Sequence, residues 1–116
     1  MKTMKTLDGI IYAVTTLVAE GEVHHACEVL AEGADEAKSL ARLQTGSADS
    51  VIALCRLWDL FEQASAFLMV GEEFEGRGLA VLAQAKHVVP DLNDDQIEAI
   101  EKAMREEFDP HLGIHY

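Results

Sequence analysis

The sequence predicts an all-α fold, a single-domain bundle of about five helices. Three observations carry that expectation. Apolar residues recur at intervals of three and four along most of the chain, the spacing that places them on one face of a helix. Glycine, proline and capping residues punctuate the periodic stretches. The 116 residues, 49% apolar and 6% aromatic, are enough for one globular domain and no more.

The first helix is expected over about residues 7–19, where Leu7, Ile10, Ile11, Val14, Leu17 and Val18 share a face. Its β-branched content makes a strand the competing assignment, and the three-and-four spacing decides for the helix. Gly21 is placed to end it. The second helix is expected over about 22–44, with Val23, Cys27, Leu30, Ala34, Ala37 and Ala41 on one narrow arc and Gly46 as its stop. Small residues dominate its second half, so a neighbour can approach closely there. The third helix, over about 48–70, starts at Ser47 as N-cap. Val51, Leu54, Cys55, Trp58, Phe61 and Leu68 form its stripe, and Ile52, Leu57, Leu60, Phe67 and Met69 widen it. At roughly 33 Å it spans a domain whose radius of gyration should be about 13 Å, so it is expected to be the central, most buried element.

Gly71, Gly76 and Gly78 loosen the chain before a fourth helix expected over about 79–89 and ended by Pro90. The segment 72–78 is either its first turn or a loop. The fifth helix has the best-marked start: Asn93 as cap, Gln96 at the third position, Asp94 and Asp95 at the positive end of the dipole. Leu92 and Ile97 are spaced for a hydrophobic staple, and Ile97, Ile100, Met104 and Phe108 line the inner face. Segments 1–6 and 109–116 are expected to be flexible ends.

Charge and composition exclude several classes. With 21 acidic against 9 basic residues the net charge is −12, which repels DNA, RNA and anionic lipid. The most apolar stretch, 51–70, is interrupted by Arg56, Asp59, Glu62 and Gln63, so no membrane span is expected. Lys2 and Lys5 ahead of residues 10–19 loosely imitate a signal peptide, but Asp8, Thr15 and Thr16 break the likeness and the stretch is taken as a structural helix. Cys27 and Cys55 lack CxxC spacing and fall on apolar faces, where they act as small buried hydrophobes in a reduced, cytoplasmic setting.

No catalytic motif emerges, so an enzyme is not expected. His24 and Glu28 lie four apart, and Glu22 with His25 makes an ExxH pair, but the second ExxH of a carboxylate-bridged metal site is missing. A metal-dependent helical enzyme on His24, His25 and Glu28 is therefore the least favoured reading, and no metal or cofactor is assigned. His87 is explained by the dipole at a helix C-terminus, and His111 and His115 by a solvated tail. No GxSxG elbow occurs, and GEEFEGRG lacks the GK[ST] ending of a phosphate loop.

The charge is unevenly placed. Residues 20–36 hold six acids and no Lys or Arg; residues 91–109 hold eight acids and two bases. Each stretch thus carries −6, together the whole net charge. In the fifth helix, Glu98 precedes Lys102 and Glu101 precedes Arg105 by four, a favourable orientation. In the second, Glu28, Glu32 and Glu36 repeat at four with Asp35 beside them, a repulsive arrangement opposite the apolar arc. One reading of the row is a solvated face kept for solubility. The other is a ridge that meets a basic partner surface and competes with phosphates for it.

In whole-chain character, and in the row Glu28, Glu32, Asp35 and Glu36, the protein resembles the small phage-encoded inhibitors of the anti-CRISPR kind. The likeness covers no shared motif and transfers no functional residue. It implies a non-catalytic inhibitor or regulator that binds the basic, nucleic-acid-handling surface of a partner protein or nucleoprotein complex. The alternative is a structural or regulatory homo-oligomer, in the simplest case a homodimer, formed through surplus apolar surface on the third helix.

Overall fold

The computed structural model describes residues 6–108. Five helices follow in order: α1 Thr6–Ala19, α2 Val23–Arg42, α3 Ala48–Val70, α4 Glu75–Ala83 and α5 Asp94–Phe108. No strand occurs among the described residues, and the fold is the expected all-α bundle. Its radius of gyration is 13.6 Å. Of the two ends expected to be flexible, all but Thr6, which opens α1, lies outside the described residues.

The centre of the bundle is α2 rather than α3. It packs against α1, α3 and α5, whereas α3 lies mainly between α2 and α4. The reason is the small-residue arc. Ala26, Gly33, Ala34, Ala37 and Ala41 are buried on α2, so two neighbours close on it at once. At Gly33 an added Cβ would stand 2.7 Å from Met104 Sδ of α5 and 2.8 Å from the Phe61 ring of α3. The expectation that α3 is the most buried helix is corrected accordingly: Ile52, Cys55, Met69 and Val70 are exposed on it, and Trp58 is half-buried.

Both neighbours run antiparallel to α2. On the α3 side, Cys27 meets Ser65 near one end and Lys38 lies over the Trp58 ring, 5.3 Å from its centre, towards the other. On the α5 side, His25 Nε2 lies 2.8 Å from the Glu107 carbonyl and its ring stacks on Phe108. At the other end Gln96 meets the turn after α2. Gln96 is 2% exposed and completes the expected capping box, its N–H donating to Asn93 Oδ1 and its Oε1 accepting from the Asn93 N–H, both at 2.9 Å. Its amide Nε2 also donates to the Thr45 carbonyl (2.7 Å) and to Thr45 Oγ1 (3.0 Å), 3.3 Å from Ser50 Oγ. The helix-start signal thus joins α5 to the α2–α3 turn.

That turn also revises a boundary. α2 stops at Arg42, and the left-handed position is taken by Gln44 (φ 52°) rather than Gly46 alone. The Thr45 N–H reaches the Leu40 carbonyl (3.3 Å) and the Gln44 N–H that of Ala41 (3.0 Å), the paired bonds of a Schellman ending. Gly46 (φ 82°) is needed for room as well, since a Cβ there would fall within 3.1 Å of Ser50 Oγ, Asn93 Nδ2 and Gln96 Nε2. Gly21 (φ 84°) ends α1 and Ser47 caps α3, its Oγ accepting from the Ser50 N–H, as expected.

The fourth helix is displaced from its expected bounds. A 3-10 turn at Glu72–Phe74 leads into α4 at Glu75, where the carboxylates suit the positive end of the dipole. Gly78 lies inside α4 because that helix presses on α3: a Cβ would meet the Ala64 carbonyl and Leu68 at 3.1 Å. The helix ends at Ala83, and Pro90 sits in the second of two 3-10 turns, Gln84–His87 and Val89–Asp91, that lead to α5.

Two stability changes follow. Gly33→Ala should lower the melting temperature, because overpacking costs about 1–3 kcal/mol and exceeds the gain in helix propensity of about 1 kcal/mol. The helical but open Gly76 supplies the contrast, and Gly76→Ala should raise it. Gln96→Ala should cost about 1–3 kcal/mol in denaturant unfolding, since it removes the side chain's bond to the Asn93 N–H and leaves the part-buried Thr45 acceptors without their donor, while Asn93 still caps the N–H of residue 96.

Candidate functional site

The predicted acidic row exists as a surface feature. On α2, Glu28, Glu32 and Asp35 are exposed and Glu36 is half-buried at the edge of the row. Helical geometry puts them opposite the buried arc, because α1, α3 and α5 occupy the remaining faces of α2. Glu28 lies 3.5 Å from His24 in an exposed i,i+4 pair. Glu32, Asp35 and Glu36 make no ion pair with a described residue. α5 behaves differently, since Glu101 pairs with Arg105 as its spacing predicts.

Sequence reasoning missed the element across from this row. Asp35 also lines a shallow groove between α2 and α3, of about 260 Å³, whose opposite wall carries Glu62. Ala31 and Ala34 of α2 and Ser65 and Ala66 of α3 line it, with Met69 at the α3 side. The signals were present separately: Glu62 interrupts the apolar run of α3, and the small residues of α2 allow close approach. Only the antiparallel register brings Asp35 and Glu62 to one groove.

The histidines separate. His24 is solvent-facing beside Glu28, while His25 turns to the C-terminus of α5, so Glu22 and His25 do not form a joint site. Among the described residues, no group of three or more His, Cys, Asp or Glu side chains is placed to hold a metal ion. His87 lies in a 3-10 turn instead of the last turn of an α-helix, and His111 and His115 lie outside the described residues. No helix is long and apolar enough to cross a membrane among the described residues.

The cysteines also part. Cys27 is 7% exposed, with its Sγ 3.8 Å from the Ser65 carbonyl. Burial pushes its thiol above the ordinary range; hydrogen bonding with the Ser65 side chain opposes this in part, and the charge of Glu28 adds to it. Cys55, expected to be buried, is exposed, because the α3 face it occupies is left uncovered by α2 and α4.

The two thiols should therefore react in two phases with an aromatic disulfide reagent. Cys55 should react at once, and Cys27 only slowly until the protein is denatured. Raising the pH should accelerate Cys27 later than an ordinary thiol, since its raised pKa keeps it protonated to higher pH; equal rates at neutral pH would contradict its burial.

No protein-family model matches the chain, and neither a curated protein nor a solved structure shows significant similarity to it.

Proposed function

We propose that this is a non-catalytic acidic interaction protein, an inhibitor or regulator that binds a basic, nucleic-acid-handling surface of a partner protein or nucleoprotein complex. It would act in the cytoplasm, in the manner of phage-encoded anti-CRISPR inhibitors. The observation that carries the reading is the exposed row Glu28, Glu32 and Asp35, flanked by Glu36, on a helix packed against α1, α3 and α5. Like charges one turn apart destabilise a helix by a few tenths of a kcal/mol per pair. α2 tolerates this because its opposite side is buried against three helices.

A row of carboxylates on a rigid rod presents negative charge at fixed spacing, as a nucleic-acid backbone does. It can be steered to a basic groove over a distance of about a Debye length and hold the place of phosphates there. Little is lost to ordering on binding, since the helix is already formed. The exposed apolar residues of α3 form no continuous patch for an oligomer: Ile52 and Cys55 lie near its start and Met69 and Val70 at its end, with Arg56, Asp59, Glu62 and Gln63 exposed between them.

The test is a pull-down from the source cell followed by affinity measurement on the captured protein at low and high salt. Affinity should fall steeply as salt rises. The triple variant Glu28→Lys, Glu32→Lys, Glu36→Lys should keep its helical circular dichroism and bind at least about tenfold more weakly. Salt-independent binding, or an unaffected triple variant, would remove the acidic row from the interface.

A further inference from the structure

We infer that the groove between α2 and α3 is a docking notch for a single apolar side chain carried on a basic helical segment of the partner. This rests on the reading above and deepens it, naming the kind of segment that the acidic surface receives.

Size argues first. At about 260 Å³ and open to solvent, the groove lies below the roughly 300–1,000 Å³ of small-molecule sites. It suits one protruding Leu- or Met-sized side chain of a larger partner. Its floor is apolar because Ala31 and Ala34 face Ala66 where the helices meet, and none of these fills the gap between them. Met69 adds an apolar flank and is 73% exposed, so a bound side chain would cover surface that the fold leaves in water.

Charge then selects the occupant. The two carboxylates of the groove, Asp35 and Glu62, stand on opposite walls, and none of its lining residues is a cation. Lys38, one turn further along α2, is laid over the Trp58 ring. An apolar side chain entering this notch is best accompanied by Lys or Arg on both sides. On a helix, residues three and four positions before and after the anchor supply that arrangement. An acidic segment would be repelled from both walls. The two features divide the work: Glu28, Glu32 and Glu36 steer and hold the basic charge of the segment, while the notch receives its apolar anchor.

The experiment uses the full chain, isotope-labelled for amide NMR, and three synthetic peptides. One is helical, with a central Leu flanked by Lys and Arg. The second carries Glu at the charged positions, and the third is oligolysine. The Leu-containing basic peptide should shift the amides of Ala34, Asp35, Glu62 and Ala66, and the acidic peptide should not. Ala66→Trp should weaken that peptide at least about tenfold by filling the notch, and Ala31→Trp, at a second exposed position, should do the same. The inference is overturned if oligolysine binds as tightly as the Leu peptide, if shifts stay around Glu28 and Glu32, or if both Trp variants bind like the parent. In those three cases the acidic surface still binds cations and the broader reading stands. If neither basic peptide perturbs the spectrum, the notch is overturned, and the partner affinity of the Glu28, Glu32 and Glu36 variant alone decides the broader reading.

Discussion

The absence of a side chain at Gly33 is the constraint on which the bundle turns. Phe61 of α3 and Met104 of α5 both come to within 3 Å of where its Cβ would stand, so α2 is gripped from two sides at one level. The buried alanines above and below continue that close approach along the helix. Interhelical contact of this kind gains dispersion energy from many small contacts, and a single added methyl disturbs it. The ends of the pair are then tied by polar contacts. His25 reaches the last turn of α5, and Gln96 reaches the turn after α2. α5 is thereby held against α2 at both ends and in the middle.

The outward surface is a consequence of this grip. With α1, α3 and α5 around it, α2 has one free side, and that side carries Glu28, Glu32 and Asp35. Repulsion along the row would fray an isolated helix. Here the small-residue side anchors it, so charge density and rigidity coexist on one element. The groove beside the row has the same origin. Small residues let α2 and α3 approach, and where Ala31 and Ala66 meet they leave a gap with carboxylates on both walls.

Much of the fold was legible because local signals are short in range. The Asn93–Gln96 box, Ser47 and Gly21 act within a turn or two of their own positions, and each behaves as its spacing implies. Where the expectation failed, a distant neighbour decided. Gly78 read as a loosened stretch, yet it sits inside α4 because Ala64 and Leu68 approach from α3. Gly46 read as a simple helix stop; Gln44 takes the left-handed turn, and Gly46 makes room for Asn93 and Gln96. Cys55 and Trp58 lie on the apolar stripe of α3, but which part of a wide stripe is covered depends on where α2 and α4 land.

The same division holds for the candidate site. The amino-acid order alone determined the acidic row, because a four-residue repeat places Glu28, Glu32 and Glu36 on one side of any helix they form. It also determined the helical class and the net charge of −12. Only the tertiary structure decided that α2 is the central helix, that Gln96 joins two ends of the bundle, and that Glu62 stands across a groove from Asp35. Periodicity fixes which residues share a face, while the partner of that face, and the register at which it arrives, depend on how closely two helices approach. In this chain that distance is set at Gly33.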